Sequence, residues 1–95
     1  MSQQHKLGTL ATTVKADDKG NTIIRYHSTD VVTFSPKRIV LNTGGWFTNT
    51  TRTRMNQAAN QFNLGFSVYQ KKFRWFVEFN GRTVAFDGNT VTLAR

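Results

Sequence analysis

Only one stretch of this chain spaces its apolar residues as a helix would. Met55, Ala58, Ala59 and Phe62 recur at i, i+3, i+4 and i+7, which is one stripe of a helix. Other apolar runs are short, rich in β-branched or aromatic residues, and closed by turn signals. The pattern predicts an α+β, β-rich single domain of antiparallel meanders, about ββββ-α-ββββ, with one amphipathic helix packed on the sheet. The helix is expected over 48–63. Threonines stand at its start, and Asn63 and Gly65 act as stop signals, with Leu64 tucking back onto the core.

Residues 1–21 read as a flexible N-terminal segment or a weak first strand within Leu7–Lys15; residues 22–95 read as the globular domain. Strands are expected at Thr22–His27, Val31–Phe34, Arg38–Asn42, Phe66–Gln70, Phe73–Phe79, Arg82–Phe86 and Thr90–Ala94. Asn80-Gly81 predicts a type I′ hairpin, and "DGN" at 87–89 a further tight turn. "VTFSPKRIVL" (32–41) echoes "VAFDGNTVTL" (84–93). The echo fits either two related hairpins about the helix or two unrelated ones sharing a buried face.

Charge narrows the function classes. The 95 residues carry a net charge of +8, which favours polyanionic partners. No acid lies between Asp30 and Glu78, whereas Lys37, Arg38, Arg52, Arg54, Lys71, Lys72 and Arg74 do. The absence of cysteine excludes disulfides and thiolate metal sites, and the five acids have no ligand spacing, so no metal or cofactor is expected. No apolar run reaches the ~20 residues of a membrane span, and the first residues do not form a signal peptide. A cytoplasmic protein without a membrane partner is the expectation.

Three clusters are candidates for binding. "GGWFTNTTRTRMNQ" (44–57) puts Thr50, Arg52 and Arg54 at a helix start without acids, where free N–H groups and the dipole favour a phosphate. Equally, the glycines make a sharp turn, Trp46 and Phe47 staple the helix start, and the threonines cap it. Arg52, Asn56, Gln57, Asn60 and Gln61 read as a polar outer helix face, with Asn56 and Gln57 suited either to base edges or to solvent. In "FSVYQKKFRWFVEF" (66–79), alternation sends Phe66, Val68, Phe73, Trp75, Val77 and Phe79 one way. Tyr69 and Phe76 point the other way beside Lys71, Lys72 and Arg74, either as a stacking platform for nucleic acid or as a hairpin buried on both faces. For catalysis the chain offers only Tyr26 and His27 with Asp30.

"YHSTDVV", "GGWFTNTTRTRMNQ", "LGFSVYQKKFRWFV" and "FNGRTVAFDGNTVTL" resemble small proteins of tailed bacteriophages, over about residues 22–95. The resemblance implies a phage origin and the host bacterial cytoplasm, and it transfers no residue roles. The expectation is a small basic nucleic-acid-binding protein, for DNA or RNA, using Thr50, Arg52, Arg54, Asn56, Gln57, Tyr69, Lys71, Lys72 and Arg74. The alternatives are a phage accessory protein that binds a host protein and, third, a metal-free nuclease. An open sheet edge would allow a homodimer.

Overall fold

The computed structural model describes residues 12–86 and 88–95. The elements run β1 (Thr12–Ala16), β2 (Thr22–Tyr26), β3 (Thr29–Phe34), β4 (Arg38–Asn42), α1 (Asn49–Gln61), β5 (Phe66–Lys71), β6 (Arg74–Phe79), β7 (Arg82–Ala85) and β8 (Thr90–Ala94). The expected element order is therefore present. Two antiparallel sheets result: one of five strands, ordered β1-β2-β3-β4-β8, and one of three, ordered β5-β6-β7. The part of the weak first strand before Thr12, and Asp87 of the "DGN" turn, lie outside the described residues. Among the described residues no helix is long and apolar enough to cross a membrane.

Helix α1 packs on β5 of the small sheet and on β2 and β3 of the large one. Met55, Ala58 and Ala59 join Ile24, Val32, Ile39, Leu41, Val68 and Val77 in one buried cluster. The alanines allow this close approach because they bring no long side chain to either sheet. Both helix ends are closed as the residues suggest. Thr48 is the N-cap and its hydroxyl accepts from the Thr51 amide at 3.2 Å. At the other end Leu64 N–H reaches Ala59 C=O at 2.9 Å, with Asn63 at φ 55, a Schellman closure that buries Leu64.

The β2–β3 hairpin departs from strict alternation. Ile24 pairs with Val32 but Arg25 pairs with Asp30, so Val31 is an extra residue in a β-bulge. The bulge lets consecutive residues Val31 and Val32 both bury, which period 2 forbids in a regular strand. The turn shrinks to His27 and Ser28, and β3 starts at Thr29 rather than Val31.

The echoed segments prove not to be twin hairpins. β3 and β4 pair with each other, whereas β7 and β8 belong to different sheets. Phe86 N–H still bonds Trp75 C=O in the small sheet, whereas Asn89 C=O accepts from Thr43 N–H beside the large one. Ile39 and Leu41, which the echo matches to Val91 and Leu93, instead pair with them crosswise, Ile39 with Leu93 and Leu41 with Val91. Similar burial, not a repeat, accounts for the likeness.

The strand-to-helix connection depends on Gly44. Its φ is +64, and a Cβ there would lie 2.4 Å from Thr29 Oγ1 and 2.7 Å from Thr29 Cγ2. Gly45 has φ +88 but open space around it. Gly44→Ala is therefore expected to destabilise by about 2–3 kcal/mol, a left-handed backbone penalty plus overpacking. Gly45→Ala should carry only the backbone part, and urea unfolding of the two variants measures the difference. Trp46 does not staple the helix start, since it is 66% exposed. Phe47 also stays half exposed, with one ring contact, edge-on to Trp75 at 5.3 Å.

The β1–β2 turn is held by one carboxylate. Asp17 Oδ1 accepts from the Lys19 and Asn21 amides, each at 2.9 Å, and Oδ2 from Asn21 Nδ2 at 3.0 Å. The Asn21 side-chain bond, then the Asn21 backbone bond, hold this carboxyl below its ordinary value. A folded pKa below the unfolded one means the stabilisation is complete above the unfolded value and is lost as pH falls through the folded value. Acid is thus expected to loosen the turn, read from the Lys19 and Asn21 amide signals, and Asp17→Ala should abolish that pH dependence.

Candidate nucleic-acid interface

The small sheet turns one face to α1 and the other to solvent. Val68, Trp75 and Val77 are buried on the inner face. On the outer face Tyr69 and Phe76 are cross-strand partners whose rings stack at 5.6 Å and 25°. Lys71 and Arg74 are the next partners on that face, toward the hairpin tip. The Arg74 guanidinium lies 5.8 Å from the Phe76 ring centroid. Glu78 is on the same face, toward the opposite end of the strand, opposite Ser67 and Thr83.

The tip corrects the strand reading at Phe73. Lys72 and Phe73 form a two-residue turn with φ 52 and 65. A tight hairpin of this kind needs left-handed residues at both positions, usually Asn-Gly, as Asn80-Gly81 supplies in the next hairpin at φ 52 and 76. Register forces the geometry here, because Val68 opposite Val77 and Lys71 opposite Arg74 leave only two residues for the loop. Phe73 does not point inward with Trp75; it is 95% exposed. A bulky residue at positive φ is an outlier of the kind that gathers at functional sites. Lys72→Asn with Phe73→Gly is expected to raise stability by about 1 kcal/mol by removing this strain, read as a higher urea midpoint.

Arg52 joins the hairpin. It donates to Gln70 Oε1 at 2.9 Å and to Asn49 Oδ1, and it lies 5.7 Å from the Trp75 ring centroid. A surface groove of about 510 Å³ brings Arg52, Tyr69, Lys72 and Phe73 together. Arg54 goes to the other flank, as residues two apart on a helix must. It lies 5.4 Å from the Tyr26 ring centroid and donates to Gln57 Oε1 at 2.9 Å. The two arginines therefore do not share one anion site. Thr50 lies on the Tyr26 side, lining a separate cavity.

Asn56 and Gln57 do not form an outer helix face. Gln57 is buried. Asn56 donates to Val68 C=O at 3.0 Å and accepts from Val68 N–H at 2.8 Å. Val68 lies on β5, an edge strand, so this amide takes the place of a missing neighbour strand. A helix touching two sheets leaves little outer face; Asn60 and Gln61 are its exposed polar residues among those expected there. Asp30 does not assemble with Tyr26 and His27, because Arg25 Nε holds it at 2.7 Å. Among the described residues that is the only ion pair, so Arg52, Lys71, Lys72 and Arg74 keep uncompensated charge.

Sequence reasoning missed Phe73 as an exposed residue. The signal was present: two residues between Lys71 and Arg74 are what a hairpin loop requires, once Val68 and Val77 are taken as facing partners.

No curated protein and no solved structure matches this chain. A family model described as Kyanoviridae Gp96 protein matches residues 1–92, which include the first 21 residues that the sequence resemblance left out. With that match spanning nearly its whole length, the chain belongs to the Kyanoviridae Gp96 family of bacteriophage proteins.

Proposed function

We propose that this protein binds single-stranded DNA or RNA on the outer face and tip of the β5–β6 hairpin. The observation that carries the reading is the stacked Tyr69–Phe76 pair on a solvent-facing sheet surface, flanked by Lys71 and Arg74. Bases stack on such rings whatever their sequence, and the flanking cations follow the phosphates. Arg52 and Lys72 extend the charge around the edge of β5. The net charge of +8 draws polyanions to the whole domain. In this reading the protein acts in the host bacterial cytoplasm, without a catalytic step.

Mobility shift with single-stranded DNA, RNA and duplex DNA tests the proposal. Four cations on single-stranded phosphate predict a log–log salt slope of about −3, hence about fifty-fold weaker binding at ~200 mM than at ~50 mM salt. Absence of binding at the lower salt overturns it. One observation favours a second reading, a host-protein partner: Phe47 and Phe73 are exposed and line one shallow groove. A protein partner held by aromatic contacts should survive nuclease treatment in a pull-down and respond weakly to salt.

A further inference from the structure

The Tyr26 flank of α1 has the shape and chemistry of a separate ligand site. A cavity of about 500 Å³ opens between the β2–β3 turn and the helix start. That volume lies within the ~300–1,000 Å³ of small-ligand sites. Tyr26, His27 and Trp46 provide rings on its wall, and Ser28, Thr29 and Thr50 provide hydroxyls; those of Thr43 and Thr48 are already bonded to Asn89, Gly45 and Thr51. None of the ten lining residues carries a carboxylate, which argues against a cation, and the rings beside a few open hydroxyls suit a ligand with both a flat and a polar part. Positive charge is close by: the Arg54 guanidinium lies over the Tyr26 ring, and its Nε is buried without a hydrogen-bond partner. The amides of Asn49 and Thr50, in the first helical turn, have no carbonyl partner within the helix. His27 reaches the cavity from a turn held at φ 56. Rings for a planar group, hydroxyls for polar edges, and N–H groups with a nearby cation for an anion together describe one ligand class.

We propose that this cavity binds a single nucleotide, either free or as the end of a strand. The base lies against Trp46 and Tyr26, and the phosphate faces Thr50 and the first-turn amides. The site shares no residue with the hairpin surface and does not depend on the hairpin reading.

Amide NMR titration of the intact protein tests this with adenosine and cytidine 5′-monophosphates, inorganic phosphate, and short oligonucleotides with and without a 5′-phosphate. The expected result is saturable shifts in residues 26–29 and 43–51 with the monophosphates, much smaller ones with inorganic phosphate, and at least about tenfold weaker binding in Trp46→Ala with Thr50→Ala. Shifts there only with 5′-phosphorylated oligonucleotides also support the site and identify a strand end as its ligand. Both side chains are exposed, so the double variant should fold, and Thr50→Ala alone gives the same comparison if it does not. Tyr69→Leu with Phe76→Leu should leave monophosphate binding unchanged, which separates this site from the hairpin surface. No shift at millimolar monophosphate and none with 5′-phosphorylated strands overturns the proposal, as do shifts that persist undiminished in the Trp46 and Thr50 variants.

Discussion

Asn56→Asp is expected to destabilise this protein by about 3 kcal/mol at neutral pH, and Asn56→Ala by about 2 kcal/mol, from two broken hydrogen bonds and backbone groups left poorly paired. The asparagine amide both accepts from Val68 N–H and donates to Val68 C=O. Alanine removes both bonds. A carboxylate can still accept, but it sets a negative oxygen against a carbonyl oxygen. A domain of this size has only about 5–15 kcal/mol of stability in total, so either loss is large. For Asn56→Ala the melting temperature should fall by roughly 10 °C, at about 4–8 °C per kcal/mol. The aspartate variant carries its own control. Once protonated it can donate as well as accept, so the Val68 carbonyl must raise its folded pKa above the ordinary carboxylate value of about 4, and its deficit should shrink as pH falls from that raised value toward the ordinary one. Urea unfolding at neutral and acidic pH measures both. An Asn56→Asp protein as stable as the parent at neutral pH would show that the edge of β5 does not need this cap. Uncapping should also leave β5 open to pairing with another copy, visible as concentration-dependent association.

Tyr69→Leu with Phe76→Leu is expected to weaken single-strand binding about a hundredfold, given about 1–3 kcal/mol for each base stacked on an aromatic ring. Leucine preserves the hairpin, since these side chains are only half-buried and the inner face of Val68, Trp75 and Val77 is untouched. Loss of the ring pair itself should lower stability by about 1 kcal/mol. Lys72→Gln with Arg74→Gln should act differently, reducing the salt slope by about 1.4, or about 0.7 for each single-strand phosphate that is no longer neutralised. Affinity measured at several salt concentrations distinguishes the two. If the leucine variant binds as tightly as the parent, the Tyr69–Phe76 face is not the platform. A charge variant with unchanged slope would remove the hairpin from the phosphate path.

Much of the fold is legible in local chemistry. The stripe of Met55, Ala58, Ala59 and Phe62 marks the helix, and Asn63-Leu64-Gly65 marks its end. Asn80-Gly81 marks a hairpin that is present. Each of these depends on residues a few positions apart. Reading strands by strict alternation fails at two places, for different reasons. At Val31 a bulge breaks the period, so that two neighbouring valines share one core. At Phe73 the hairpin register outranks the aromatic ring's own preference for a strand.

The candidate site is less legible, because side-chain company is a long-range property. The spacing of Arg52 and Arg54 already shows that one helix cannot aim both at one point. Nothing local shows that one would meet Gln70 and the other Tyr26. The amides of Asn56 and Gln57 suit base edges as well as they suit a strand edge. The latter is where Asn56 is engaged, because β5 has no second neighbour.

By itself, then, the sequence determined the order of the strands, the single helix with its caps, and a surplus of positive charge. These follow from dihedral preference, side-chain period and ionisation, which act over a few residues. Only the tertiary structure decided that β7 and β8 join different sheets, that Asn56 closes an edge, and that Tyr69, Phe76, Lys71 and Arg74 share a solvent face apart from the Tyr26 cavity. Those outcomes depend on which segments bury their apolar faces together, and that is set by packing the whole chain at once.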